Sequence, residues 1–344
     1  MQKILSRLSL VSLVCIFLVI VAGSVVRMTG SGMGCPDWPK CFGYYIPPTS
    51  PEALAWSADR SFDKGNIIIK DERLLVAKQD FTSDTAFNSE NWEVYTKHDY
   101  AIFNAAHTWT EYINRLFGAL SGLPVLAFFI VSFFYIRKDP LIMVLGLTGV
   151  LLLGFEAWLG KVVVDGNLVP HQITYHMFGA IALVGLYIYL YIRLNKKSFG
   201  LKKIDRDKRV IRLGWLALII VLLQTFLGTI VREEVDFIGK EELLADTNWI
   251  DQLSVYFLIH RSFSIAVVLI IGWYAIKVFR TGGIAKLPRL LMITIIIEVL
   301  LGMGLAYFDM PAFMQPLHLL LAIVGFGLIV AIMLIYSAKT SSSI

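Results

Sequence analysis

The sequence predicts an all-α integral membrane protein of eight transmembrane helices, laid out as two repeated four-helix bundles. Three observations carry this. The 344 residues are 57% apolar and the mean hydropathy is +0.68, beyond the composition of a soluble domain, whose apolar share is near half or less. Eight apolar runs are long enough to cross a bilayer, which takes about 20 residues. The runs are continuous rather than alternating, which argues against a barrel, and in lipid only helices and closed barrels satisfy their own backbone.

The runs fall near 8–26, 105–136, 141–163, 171–192, 213–231, 253–278, 287–308 and 313–336. The first is longer than the apolar core of a signal peptide and lacks a cleavage site, so it is read as a helix. After it, Met28-Thr29-Gly30-Ser31-Gly32-Met33-Gly34-Cys35-Pro36-Asp37-Trp38-Pro39-Lys40-Cys41 cannot continue a helix. It lacks the preceding strand and the Gly-Lys-Ser/Thr of a phosphate loop, and reads as a tight turn at the membrane face. The segment that follows, to about Tyr100, is too long for a connector and is expected to fold as a small cap with short helices. Lys161 and Asp165 are placed in the short connection between the third and fourth spans.

Orientation follows from the basic residues. Lys3, Arg7, Arg137, Lys138, Lys277, Arg280, Lys286, Arg289 and Lys339 share one side with the segment from Arg193 to Arg212, which holds nine Lys and Arg. The opposite loops carry Glu233, Glu234, Asp236, Glu241, Glu242, Asp246 and Asp251. The positive-inside rule puts both termini in the cytoplasm, as expected of a multi-pass protein of the cell inner membrane. The net charge of +5 is then a topology signal and no indication of nucleic-acid binding. Cys15 lies in the first helix. Cys35 and Cys41 fall in an outer loop facing an oxidising compartment, where a small disulfide loop or two free thiols are the alternatives.

The halves echo one another. Gly23-Ser24-Val25-Val26-Arg27 ends the first helix and Gly228-Thr229-Ile230-Val231-Arg232 the fifth. His176 follows Gly160 by sixteen residues, as His318 follows Gly302. Asn114-Arg115 matches His260-Arg261, and Glu156 matches Glu298. The expected organisation is a first half over 1–195 with a long outer loop at about 28–104, a basic cytoplasmic linker over 196–212, and a second half over 213–344.

His260 and His318 lie near the starts of their runs on alternate helices, so at 1.5 Å per residue their imidazoles share a depth. One reading is two imidazoles hydrogen-bonded between helices. The other, which the matched depth and the echo favour, is a pair gripping heme b from opposite faces, with Arg261 on a propionate. In the first half His176 takes the place of His318, and Asn114 stands where a second imidazole is expected. His107, Glu111 and Asn114 share one helix face. Glu111 pairs with Arg115 or handles a proton or charge at a reacting centre. His171 follows Pro170 and points away from His176; His98 lies in the outer loop.

These residues resemble the heme A synthase family across nearly the whole chain. The matching features are Thr29-Gly30-Ser31-Gly32 with Cys35-Pro36-Asp37-Trp38-Pro39 and Cys41, then Glu111-Tyr112-Ile113-x-Arg115, His176, His260-Arg261 and His318. The resemblance implies an enzyme that oxidises the C8 methyl of heme O to a formyl group, giving heme A for terminal oxidases. It implies heme b on His260 and His318, and a substrate heme site with His176 as ligand, flanked by His107, Asn114 and Arg115, with Glu111 as a catalytic carboxylate. It also implies a Cys35–Cys41 pair. Many family members carry His where this chain has Asn114, so His176 is expected to ligate alone or with His107. Heme O synthase, oxidase assembly factors, an unnamed electron donor and membrane lipid are the implied partners, and a homo-oligomer is compatible. A non-catalytic di-heme electron carrier and a heme transport or assembly factor are the rival readings.

Overall fold

The structure, a computed structural model, describes residues 1–96, 102–165, 171–196, 208–240, 249–281 and 285–337. His98 and most of the basic linker lie outside them. Eight helices are long and apolar enough to cross a membrane: α1 (Gln2–Met28), α2 (Ala105–Phe133), α3 (Pro140–Asp165), α4 (Gln172–Leu194), α5 (Lys208–Lys240), α6 (Val255–Arg280), α7 (Lys286–Tyr307) and α8 (Met314–Ser337). Two of their starts are capped by side chains. The Asn104 carboxamide accepts from the amides of Ala106 and His107 to cap α2, and the Ser254 hydroxyl accepts from Tyr256 to cap α6.

Several ends differ from expectation. α1 begins at Gln2 rather than at residue 8, and α2 stops at Phe133. α3 runs to Asp165, so Lys161 and Asp165 belong to a helix and not to a connection. α5 runs past residue 231 to Lys240, which places Glu233, Glu234 and Asp236 on helix rather than loop. Helical hydrogen bonding continues beyond the apolar layer, whereas hydropathy reports only the layer.

α1 packs on α2, α2 on α3, α3 on α4 and α4 back on α1, closing a ring; α5 to α8 close a second ring in the same way. The rings meet where α8 packs on α4 and α1. Along that seam Gly185 faces the Phe326 ring and Gly327 faces Ile188, small residues that let the two backbones approach. One buried cluster runs through both rings, with Phe128, Tyr187, Tyr274, Ile329 and Tyr336 fully enclosed. Large apolar side chains such as Leu123, Leu151, Ile265 and Leu269 point outward, as a lipid-facing surface requires.

The long segment after α1 is built from strands and not from the short helices expected of it; among the described residues its helical pieces are brief 3-10 turns. β1 (Ser61–Phe62) pairs antiparallel with β4 (Phe81–Thr82), and β2 (Ile67–Lys70), β3 (Arg73–Ala77) and β5 (Trp92–Val94) form an antiparallel sheet in the order β2-β3-β5. The β2–β3 register opposes Ile68 to Leu75 and Ile69 to Leu74. Alternation then sorts the side chains by face. Ile67 and Leu74 pack with Cys35, Cys41, Phe42 and Leu54, while Ile68 and Ala77 pack with Phe62 and Trp92. The turn uses Asp71 and Glu72, both at positive φ (51° and 58°), as a two-residue hairpin of right-handed twist demands.

Candidate functional site: an intramembrane imidazole cavity and a disulfide-closed cap

The four positions singled out by the sequence echo have one local geometry. Each faces a glycine on the preceding helix. A Cβ on Gly228 would lie 3.1 Å from His260 Cε1, on Gly302 3.3 Å from His318 Cε1, on Gly160 3.9 Å from His176 Cε1, and on Gly23 3.7 Å from Asn114 Oδ1. Glycine therefore sets each ring directly against its neighbour's backbone. Asn114 occupies the place in the first ring that His260 occupies in the second.

His260 and His318 line a single cavity of ≈ 540 Å³ that lies among α5 to α8 and extends to α1 and α4 at Ser24, Arg27 and Met177, bordered by Gln224, Gly228, Glu298 and Gly302. That volume is within the roughly 300–1,000 Å³ of cofactor pockets. His318 Nδ1 lies 3.2 Å from the Glu298 carbonyl, so an Nδ1–H donates to it and Nε2 is left as the free lone pair. The Gln224 amide donates to the His260 carbonyl at 3.0 Å and its nitrogen lies 3.5 Å from His260 Nε2. His260 Nδ1 and Glu298 Oε2 are buried with no partner among the described residues.

Arg261, expected at a propionate, is exposed at one side of this cavity, 3.5 Å from the Tyr307 hydroxyl and over the Phe257 ring. Two further arginines border it. Arg232 reaches Gln315 Oε1 at 2.5 Å and Asp236 at 2.8 Å, and Arg27 of the other ring meets the same Asp236 at 2.6 Å. Both stand one turn past the glycine that faces an imidazole position. The repeated Gly-x-x-x-Arg is the sequence signal for them.

In the first ring His176 Nδ1 lies 2.7 Å from Glu156 Oε2. Glu156 is 5% exposed. The ring N–H is not aimed along that line, and neither Glu156 oxygen has a hydrogen-bond partner among the described residues. His171 caps the start of α4, its amide donating to Glu233 at 2.9 Å, so it is held away from His176.

Glu111 and Arg115 face the cap. Glu111 Oε2 accepts from the Cys35 amide at 2.8 Å, while Oε1 forms a short ion pair with Arg115. Arg115 donates onward to the carbonyls of Asp37 at 2.6 Å and Lys40 at 2.8 Å. Cys35 and Cys41 are joined as a disulfide, which settles the choice between bridge and free thiols. The Thr108 hydroxyl donates to the Gly34 carbonyl at 2.7 Å. The loop is thus clamped onto the outer turns of α2. His107 contributes its backbone to that contact, and a Cβ on Gly34 would come within 2.6 Å of its carbonyl carbon and oxygen. Because those are main-chain atoms, Gly34→Ala is expected to lift the loop and destabilise the docked cap by about 1–3 kcal/mol. Hydrogen exchange of the 34–41 amides would read this as faster exchange; unchanged protection would contradict it.

Asp37 sits inside the same loop. Burial pushes its carboxyl above the usual range, against the pull of the Gly43 and Phe42 amides and of Arg115. The Gly43 amide donates to Oδ2 at 2.9 Å, while Oδ1 is buried with no hydrogen-bond partner among the described residues. A raised folded pKa stabilises below the unfolded value, and that contribution is lost as pH rises through the folded one. Asp37→Asn keeps an acceptor for Gly43 without the charge. It is expected to flatten the pH dependence of cap stability and to change stability at neutral pH by less than about 1 kcal/mol. An unaltered slope of Tm against pH would refute this.

Eight apolar spans in two closed rings, with imidazoles set against glycines around a cavity between helices, define a polytopic membrane protein with an intramembrane site. The chain belongs to the COX15-CtaA family, described as cytochrome oxidase assembly protein, whose family model matches residues 6–66 and 82–330. The unmatched stretch between them holds β2 and β3. Among curated relatives, a heme A synthase of Rickettsia prowazekii is 21% identical, covering 96% of this chain and 97% of its own. One from Nitrosospira multiformis is 23% identical over 88% and 85%. One from Shewanella oneidensis is 25% identical over 71% of this chain, and the match spans 62% of that protein's length.

Proposed function

We propose that this chain is a heme A synthase, a membrane oxidoreductase that converts heme O to heme A, with heme b as resident cofactor. The observation that carries the reading is the imidazole pair, His260 and His318, in one cavity whose opposing helices present glycine to both rings. The residues fit a heme there: His318 Nδ1 is turned to a carbonyl, leaving Nε2 for iron, and the glycines leave room that a Cβ would fill. Bound there, heme b supplies one-electron chemistry. Arg232, Arg27 and Arg261 are the cations for its propionates.

The first ring takes the substrate heme, with His176 as the iron ligand. Asn114 is a poor ligand for iron, so one face of the substrate is left to the reaction or to His107. Glu111 is the carboxylate of this reacting site. Its contacts also give it the task of anchoring the cap over the ring through Cys35 and Arg115. Both termini face the cytoplasm, and the cap faces the opposite side of the inner membrane. Open helix flanks suit a substrate with an isoprenoid tail that enters from lipid, delivered by heme O synthase and passed on towards an oxidase.

The test is pigment extraction from cells co-expressing the chain with heme O synthase. Heme A is expected to accumulate at the expense of heme O. Unchanged pigments would favour a di-heme electron carrier or a heme transport factor.

A further inference from the structure

The two rings treat their equivalent histidines differently, and the cause is one residue. His176 and His318, Glu156 and Glu298, and Gly160 and Gly302 are all related by the same offset of 142 positions. In the second ring His318 Nδ1 turns to the main-chain carbonyl of Glu298. In the first, His176 Nδ1 faces the Glu156 carboxylate at 2.7 Å. Gly179, one turn beyond His176, makes this feasible: a Cβ there would lie 1.7 Å from Glu156 Oε1 and 2.6 Å from its Cδ. The carboxylate therefore fills the space that a side chain at 179 would take. The residue at the matching position of the second ring is Leu321.

We propose that Glu156, admitted by Gly179, is a positioning residue that fixes the His176 ring and strengthens it as a donor to the iron of the substrate heme. This rests on the proposed role of His176 as that heme's ligand. The 2.7 Å approach brings the two groups together, and a turn of the ring that aims its Nδ1–H at Oε2 when iron is bound makes His176 a more basic ligand than an imidazole held by a peptide carbonyl. Stronger axial donation favours oxidised iron and oxidative chemistry at the metal. The asymmetry places the donor-strengthening carboxylate in the ring that holds the substrate, while the resident heme b has the weaker carbonyl partner. Neither Glu156 oxygen has a hydrogen-bond partner among the described residues, so apart from its approach to His176 a buried carboxylate there is a cost.

The test measures the reduction potential and the iron–imidazole stretch of the first-ring heme in purified, heme O-loaded protein. Glu156→Gln is expected to raise the potential and lower the stretching frequency. Gly179→Ala, which keeps the carboxylate but displaces it, is expected to move both in the same direction and serves where Glu156→Gln holds no heme. Glu298→Gln is expected to leave both readouts at the wild-type values. His176→Ala separates the two levels of the argument. If it leaves the first-ring heme signal intact, the ligand assignment itself fails. If it removes the signal while Glu156→Gln and Gly179→Ala shift neither readout, only the role of Glu156 is overturned.

Discussion

His318→Ala is expected to abolish heme b binding in the second ring, and His260→Ala to do the same. In the proposed site these two imidazoles would hold the iron, and both rings already have fixed neighbours: His318 the Glu298 carbonyl, His260 Gln224 and Gly228. Removing either ring opens further space in a cavity already of ≈ 540 Å³. The purified variants should lose the low-spin bis-imidazole spectrum and all turnover. Retention of that spectrum in either single variant would contradict the assignment.

Glu111→Ala is the second large effect. The side chain is 3% exposed and bridges the Cys35 amide to Arg115. Breaking a buried pair from one side leaves the other charge unmatched, at a cost of about 3–5 kcal/mol. Arg115 would also lose the partner that aims it at the carbonyls of Asp37 and Lys40. Loss of turnover together with proteolytic opening of the 34–41 loop is the expected outcome, and Arg115→Ala should reproduce the opening. A variant with a wild-type proteolysis pattern would show that the carboxylate does not anchor the cap.

What could be read from the sequence divides along physical lines. Eight spans were legible because lipid leaves the backbone no alternative to a helix, so long apolar runs have one meaning. That His260, His318 and His176 lie within the spans is legible because a polar ring at membrane depth is costly and therefore conspicuous. The glycines at 160 and 302 were visible as a spacing; that each faces a ring is a fact about neighbouring helices. The cap was misread. Ile67 to Ala77 is two short apolar strands around Asp71-Glu72, and that pair lacks the Asn-Gly or Asp-Gly signature by which such turns are recognised. The helical Glu233 and Asp236 looked like loop because charge ends a hydropathy run without ending a helix. The contact of Glu156 with His176 depends on the missing side chain at Gly179, which no periodicity along one helix reveals.

The account turns on two unequal heme sites: a second ring closed on iron by His260 and His318, and a first ring where His176 faces Asn114. Carbon monoxide added to the reduced, heme O-loaded protein tests this most directly. Binding is predicted at the first-ring heme alone, with the heme b spectrum unmoved. Carbon monoxide on the heme b, or on neither heme, would contradict it.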